Sequence, residues 1–549
     1  MCYACMMREM SPDQRPLDVE VTASQENNSL PVYSMDQIAD QLTNGYWGGP
    51  SYKFDASVGD TLTVDLSGLT QSGQDMARQA LDAWSDVTGL NFSEAAASQA
   101  PSGVVDEGPD ASSGTSTAYS MSVGEDFTGS LAGGPDRDAV AITLSAGERI
   151  TLALEGDDSG GNGLSTPHLR LRDSAGNLLM ENVGDSDGAS LAFEAPTSGT
   201  YYLQAGSLND SENGDYRQAK RLANATAYIT FDDNNSGAYA SFSTSGGFIT
   251  RASINIDDNW SGGQARTDGY FFQTYIHEIG HALGLGHAGN YNGGASYGSD
   301  AHYANDSWQA SVMSYFWQTE NTFVDADFAY VITPQVADIL AAQNLYGTAS
   351  VRTGNDEYGP NSALVTYLDG ALSLSNPVSF TVMDTGGTDT FDFSSYSADQ
   401  MMDLRQEAFS DLAGVDGNIG IARGTVIEYG LTGSGDDTIE GNDAGNGLDT
   451  GAGDDVARGG DGHDAVSGGA GLDNLIGDGG RDLLEGSTGD DVLDGSGGGD
   501  LMFGDDVTLA DLTSLFPSWT PAPDAATKLA DGDLLALWED ILLDEYGIA

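Results

Sequence analysis

From Thr432 to Phe503 the chain repeats every nine residues, eight times over, with no insertion. The sixth position of the unit is Asp437, Asn446, Asp455, Asp464, Asp473, Asp482, Asp491 and Asp500. The eighth is always apolar, from Ile439 through Leu448, Ala457, Val466, Leu475, Leu484 and Leu493 to Met502. A flexible linker has no reason to keep phase over that length. The repeat therefore predicts stacked units, each a glycine-rich turn followed by a very short strand, with the apolar residues forming one buried column. Glycine supplies the positive φ that such turns demand. Stacked turns can also offer a hard cation the six or more oxygens it needs, from backbone carbonyls and Asp side chains, so calcium is the expected ligand of the repeat.

Charge narrows the alternatives. Acidic residues number 84 against 19 basic ones, a net charge of −65 that repels nucleic acid and excludes it as a partner. Hydrophobic residues make up 39%, enough to fold despite the charge, and 549 residues predict several domains rather than one core. The only cysteines are Cys2 and Cys5, so no disulfide framework holds the chain. Their CxxC reads as incidental, the alternative being a thiolate that caps a metal and keeps the protein latent. No run reaches the ~18 apolar residues of a membrane span. Met1 to Glu20 lacks the basic and apolar regions of a secretory signal, which leaves the cytoplasm or an export route that does not read the N-terminus.

The chemistry is concentrated in His277-Glu278-Ile279-Gly280-His281-Ala282-Leu283-Gly284-Leu285-Gly286-His287. Half of the chain's 6 histidines fall in these eleven residues. On a helix, His277 and His281 lie one turn apart on the same face and can share one metal. Gly284 can end the helix in a left-handed conformation and turn the chain back, so that His287 becomes a third ligand. Three histidines leave a fourth position open, as catalytic zinc requires, and Glu278 stands beside the first ligand where a general base is needed.

Both motifs resemble known families. The nonapeptides, for example Gly459 to Ser467, match the GGxGxDxUx unit of the RTX calcium-binding proteins, which implies a right-handed parallel β-roll. HExxHxxGxxH is complete here and resembles the metzincin metalloproteases. Ser311-Val312-Met313-Ser314-Tyr315 is similar to the Met-turn of their serralysin subfamily. By that resemblance Met313 floors the zinc site, and Tyr315 is a further zinc ligand that swings to stabilise the oxyanion. The similarity continues through Asp338 to Gly347, like the helix closing the serralysin catalytic domain. Residues matching Arg352, Gly354, Asp356, Asp384, Gly386, Gly387, Asp389 and Glu428 take part in the family's calcium sites ahead of the roll. Within the repeats the resemblance implies ligands at Gly433, Gly435, Asp437, Asp455, Gly460, Gly462, Asp464, Gly469, Gly471, Asp473, Asp482, Asp491 and Asp500. Asp356 and Val426 stand where the family commonly has Thr.

A second all-β region lies between about Gly114 and Gln218, where alternating runs (139–144, 150–154, 169–171, 191–193, 201–203) are separated by Gly, Asp and Pro at sandwich-like spacing. Ala195-Pro196-Thr197-Ser198-Gly199-Thr200-Tyr201-Tyr202-Leu203 resembles the pre-peptidase C-terminal domains of many secreted proteases. It separates two stretches that resemble the metzincin N-terminal helix (74–89) and its next strand (225–231), so a β-sandwich is expected to be inserted in an α+β protease domain.

The expected organisation is a leader or propeptide over 1–34 and a metzincin catalytic domain over 35–113 and 219–347, interrupted by the sandwich at 114–218. A β-rich lead-in at 348–431, the RTX parallel β-roll at 432–505 and a C-terminal secretion region at 506–549 follow, the last with an amphipathic helix over 531–549. Resemblance implies a secreted, extracellular zinc metalloendopeptidase with one catalytic zinc and several structural calcium ions. It would use the type I secretion apparatus, meet an inhibitor protein, and act as a monomer on protein or peptide substrates laid along an edge strand near 248–256. The rival readings are a calcium-dependent adhesin or surface-binding protein with a decayed protease domain, and a zinc hydrolase acting on a non-peptide bond.

Overall fold

Alternate nine-residue units feed two different parallel sheets. Thr438, Val456, Asn474 and Val492 are in register in one, and Gly447, Ala465, Leu483 and Leu501 in the other, each strand pairing with the one 18 residues on. Ile439, Ala457 and Leu475 from the first sheet and Leu448, Val466 and Leu484 from the second are buried, which realises the predicted apolar column. At its last member the column emerges, with Met502 51% exposed. Both sheets continue upstream in parallel pairings, through Thr390–Asp392 and Tyr429–Leu431 in one and Met401–Asp403 in the other.

This is a computed structural model describing residues 30–546, except 95–102, 108–110, 123–124, 133–135, 147–148, 157–163, 165, 184–188, 208–213, 223–226, 234, 261–264, 363, 365–367, 506 and 531–532. Cys2, Cys5 and most of the expected leader lie outside the described residues. The chain divides into two compact units. One takes the residues up to Thr61, Gln71–Asn91 and everything from Ser236; the other takes Leu62–Thr70 and Phe92–Asn235.

In the first unit the helices are α1 (Met35–Asp40), α2 (Gln71–Thr88), α3 (Tyr270–Ala282), α4 (Val336–Tyr346) and α5 (Leu534–Tyr546), with shorter ones between. Every residue of α3 from Phe271 onward is buried, the polar Gln273, Thr274, His277, Glu278 and His281 included. It is anchored to α2 by Trp84, whose indole Nε1 donates to the Ile276 carbonyl at 2.9 Å. Strand Phe248–Ile256 pairs antiparallel with Ala238–Ser245 along its whole length. On its other side Ile249 N–H donates to the Lys53 carbonyl at 2.7 Å. That corrects the expected substrate edge: 248–256 is an inner strand, and 238–245 is the terminal strand of its sheet. The misreading arose because alternation of apolar residues marks a strand but not its rank in the sheet.

Helix α5 buries Leu534, Leu535, Leu537, Trp538, Ile541 and Leu542 in one cluster with Ala465 and Leu483 of the repeat strands. Trp538 Nε1 donates to the Arg481 carbonyl at 2.7 Å, and Tyr429 OH donates to Asp533 at 3.0 Å. The amphipathic stripe read from the sequence thus packs on the repeat tract. Among the described residues no helix is long and apolar enough to cross a membrane.

The second unit contains two sheets. One orders Asp138–Leu144, Gly199–Ala205, His168–Arg172 and Leu178–Val183, all antiparallel. The other orders Gly103–Asp106, Glu125–Leu131, Gly214–Leu222, Arg149–Gly156 and Ala189–Glu194, antiparallel apart from the first pair. Phe127, Ile142, Ile150, Leu152, Leu169, Leu203 and Tyr216 share its core. The strands of these two sheets run from Gly103 to Leu222, beyond the 114–218 interval at both ends.

Candidate active site

The helix that carries the site ends as its glycine foretells. Leu285 N–H donates to the Gly280 carbonyl at 2.9 Å and Gly284 N–H to the His281 carbonyl at 3.0 Å, with Gly284 at φ 106°. These are the paired bonds of a Schellman stop. The chain turns back, and the ring nitrogens of His277, His281 and His287 come within 4.8 Å of one another.

Each of the three rings is oriented by a carbonyl. His277 Nδ1 bonds Val312 O at 2.8 Å, His281 Nδ1 bonds Leu285 O at 2.8 Å, and His287 Nδ1 bonds Tyr291 O at 2.9 Å. A carbonyl oxygen only accepts, so each Nδ1 holds the proton and each Nε2 keeps a lone pair. His281 Nε2 and His287 Nε2 stand 3.0 Å apart. That is close to the ~3.3 Å edge of a tetrahedron built on ~2.0–2.1 Å zinc–nitrogen bonds. Three buried imidazoles with inward lone pairs, each with its Nδ1 held by a backbone carbonyl, fit a zinc ion. Glu278 is fully buried beside the first of them.

Met313 is fully buried, and the turn that bears it is held from α4. The Asp338 carboxylate accepts from Ser311 Oγ at 2.6 Å, Val312 N at 2.7 Å and Gln335 N at 2.9 Å. Burial pushes its carboxyl up to about 6, with those three donors pulling the other way. The half-buried ring of Tyr315 lies 4.5 Å, centroid to centroid, from that of His287 and 6.1 Å from that of His277. Beneath it, 4.8 Å away, is Tyr291, whose hydroxyl donates to Asp306 at 3.1 Å. Asp306 also accepts from Ser314 Oγ at 2.7 Å, and burial pushes its carboxyl up to about 7. A small cavity next to His277 and Glu278 is lined by Tyr270, Gln273, Thr274, Trp308 and Tyr315.

Sequence reasoning missed Trp84, Tyr291 and Asp306, and gave no role to Asp338. Only Asp338 carried a local signal, the reciprocal cap it forms with Gln335 ahead of an apolar run.

A second cluster gathers Asp356, Asp384 and Asp389. Glu428 joins it through Asp389 N–H, which donates to its carboxylate at 2.7 Å, and Tyr358 OH donates to Asp384 at 2.6 Å. Burial, with Asp384, Glu428 and Asp356 nearby, pushes the Asp389 carboxyl up to about 7. Gly354 and Gly387 pack so closely that a Cβ on Gly387 would meet the Gly354 carbonyl. Gly386 N–H donates to Asp384 at 3.0 Å. Arg352, in a left-handed conformation, donates to the Met383 carbonyl at 2.8 Å and is ion-paired with Asp86 on α2.

In the repeats, Asp455, Asp464, Asp473, Asp482 and Asp491 each keep one buried carboxylate oxygen, Oδ2, with no hydrogen-bond partner. The other oxygen accepts the backbone N–H of the residue 18 positions earlier, as from Asp437 N to Asp455 at 2.7 Å and from Asp464 N to Asp482 at 3.1 Å. Burial pushes Asp464 up to about 8. Orphaned, desolvated carboxylate oxygens repeated along a glycine-rich tract fit a hard cation. Gly433, Gly435, Gly469 and Gly471 lie in these turns, where Thr488 N–H reaches the Gly469 carbonyl and Ala452 N–H the Gly433 carbonyl, whereas Gly460 and Gly462 end the strand Val456–Gly462, in register with Asp478 and Gly480. Asp437 differs from the rest, because Gln400 N and Gly433 N occupy both of its oxygens. Asp500 is half-buried and accepts from Asp482 N at 3.3 Å.

Residues 347–500 match the family described as Peptidase M10 serralysin C terminal. Among curated relatives, Metalloprotease AprA of Pseudomonas entomophila (strain L48) is 34% identical over 336 residues, covering 54% of this chain and 69% of its own length. Serralysin B of Dickeya chrysanthemi is 44% identical over 32% of this chain and 37% of its own length. Serralysin of Photorhabdus luminescens is 39% identical over 40% of this chain and 46% of its own. The chain thus spans less than half the length of the last two. Among solved structures, the pre-peptidase C-terminal domain of collagenase from Bacillus anthracis aligns over 19% of this chain at 17% identity, with a TM-score of 0.16 that carries no argument about the second unit.

Proposed function

The chain belongs to the serralysin-type metalloproteases, and on that premise we propose that it is a secreted, zinc-dependent endopeptidase that hydrolyses peptide bonds in extracellular proteins and is stabilised by calcium. The observation that carries this reading is the set of three buried imidazoles, each with Nδ1 committed to a carbonyl and each bringing a ring nitrogen within 4.8 Å of the others', with Glu278 alongside. His277, His281 and His287 would hold zinc, and zinc supplies Lewis acidity, acidifying water and polarising the scissile carbonyl. Glu278 takes the water's proton and passes it to the leaving amine. Tyr315 steadies the oxyanion from its place beside His287.

Calcium would bind at Asp356, Asp384, Asp389 and Glu428 and along the repeat carboxylates, which makes the paired parallel sheets a calcium-loaded β-roll. The sandwich is an insertion in the protease domain, and α5 belongs to a C-terminal type I secretion region. The test is hydrolysis of casein by the full-length, calcium-loaded protein. Cleavage that a zinc chelator abolishes and zinc restores supports the reading. No cleavage with zinc bound favours the adhesin reading instead.

A further inference from the structure

His277 and His281 are fixed relative to each other by α3, but His287 stands beyond the glycine bend, and something else must place it. The structure shows what does. Directly after α1 the chain makes one π-helical turn, Gln41–Gly45, in which Tyr46 N–H donates to the Gln41 carbonyl at 2.9 Å. Such turns are rare and concentrate at functional sites.

This one, with the two residues that follow it, sets three contacts against the bend. The Leu42 carbonyl accepts Gly286 N–H at 2.7 Å, and Trp47 Nε1 donates to the Gly284 carbonyl at 2.9 Å. The Tyr46 ring meets the His287 ring edge-on, with centroids 5.0 Å apart at 83°. The fit is close: a Cβ on Gly286 would collide with the Tyr46 ring. Trp47 is itself wedged edge-on between Tyr52 at 5.5 Å and Phe242 at 5.3 Å.

We infer that Trp47 and Tyr46 are positioning residues for the third metal ligand, holding the Gly284–Gly286 bend so that His287 is aligned before zinc arrives. The inference rests on the proposed reading of these imidazoles as zinc ligands. A bend this rich in glycine loses much conformational freedom when it is ordered, and without the clamp that loss is subtracted from metal affinity. Neither residue is among those that would hold the metal: Tyr46 acts through the His287 ring and Trp47 through the Gly284 carbonyl.

The test uses full-length protein stripped of metal and restored with calcium, in the unsubstituted form and as Trp47→Phe, which keeps a ring and removes the N–H, and Tyr46→Leu, which removes the ring. Zinc affinity is measured by competition with a chromogenic chelator, ligand geometry by the visible absorption of the cobalt(II) form, and folding by the melting temperature before zinc is added. The expected result is a loss of zinc affinity of about tenfold in each variant, at the lower end of what disturbing a ligand's support produces. An altered cobalt band and an unchanged zinc-free melting temperature should accompany it. Variants that match the unsubstituted protein in affinity and cobalt spectrum would overturn the inference. So would an affinity loss matched by an equal fall in zinc-free stability. Unsubstituted protein that takes up no zinc would instead overturn the reading of the site itself.

Discussion

His277 and Val312 are 35 residues apart in sequence and joined by one hydrogen bond, from imidazole Nδ1 to backbone carbonyl, at 2.8 Å. The same Val312 donates its N–H to Asp338 at 2.7 Å. One residue therefore ties the first candidate ligand to the start of α4, and Asp338 holds the Met313 turn. Asp338→Ala would strand three buried donors: Ser311 Oγ, Val312 N and Gln335 N. Each orphaned donor costs about 1–3 kcal/mol, so the variant should lose roughly 3 kcal/mol or more in chemical denaturation and bind zinc more weakly. A variant within ~0.5 kcal/mol of the unsubstituted protein, the range of ordinary surface substitutions, would show that α4 does not support the site.

Gly284 supports a sharper test. It stands at φ 106°, and a Cβ there would also strike the Tyr52 carbonyl. Gly284→Ala should destabilise by more than ~1 kcal/mol and reduce zinc stoichiometry from one towards zero, because the bend carries His287. Equilibrium dialysis against zinc reads this directly, and full occupancy would remove the bend from the account.

Trp538 is 1% exposed and lies between α5 and the repeat strands. Trp538→Ala should cost about 3–5 kcal/mol and raise the calcium concentration at which the repeats reach their full stability. Circular dichroism during a calcium titration of the full chain measures the shift. An unchanged midpoint would mean that α5 is a passenger on the sheets.

Without calcium, burial pushes Asp464 up to about 8, Asp482 to about 7 and Asp455 to about 6. The unfolded value is ~3.9, so the folded, calcium-free chain holds these protons more tightly than the unfolded one, and its stability rises as pH falls from about 8 towards about 4. Chelator-treated protein should therefore melt at a higher temperature near about pH 5.5 than near about pH 8, and Asp464→Asn should flatten that dependence. Calcium-loaded protein should show the opposite slope, because protons then compete for its ligands. Melting temperatures across that range decide both.

How much of this was legible in the sequence depends on how local each feature is. His277, Glu278, His281, Gly284 and His287 span eleven residues; helix geometry places the first three, and Gly284 announces the bend that returns His287. The repeat reports itself through its phase, and the structure pairs Thr438 with Val456, as an 18-residue turn requires. Tyr46, Trp47, Tyr291 and Asp306 follow no period and join the site through contacts as distant as the 237 residues between Trp47 and Gly284, which composition and spacing do not encode. The expectation of a sheet edge near 248–256 fails for a similar reason. Phe248–Ile256 alternates as a strand should, and only its pairing with Ala238–Ser245 reveals which of the two is outermost.

The most direct measurement is zinc content and peptide hydrolysis on one preparation of Glu278→Ala. That change leaves His277, His281 and His287 in place and removes the only residue assigned to move the proton. The account predicts one zinc per chain, as in the unsubstituted protein, with kcat lowered by at least ~10²–10⁴-fold. Zinc retained together with undiminished turnover would contradict it.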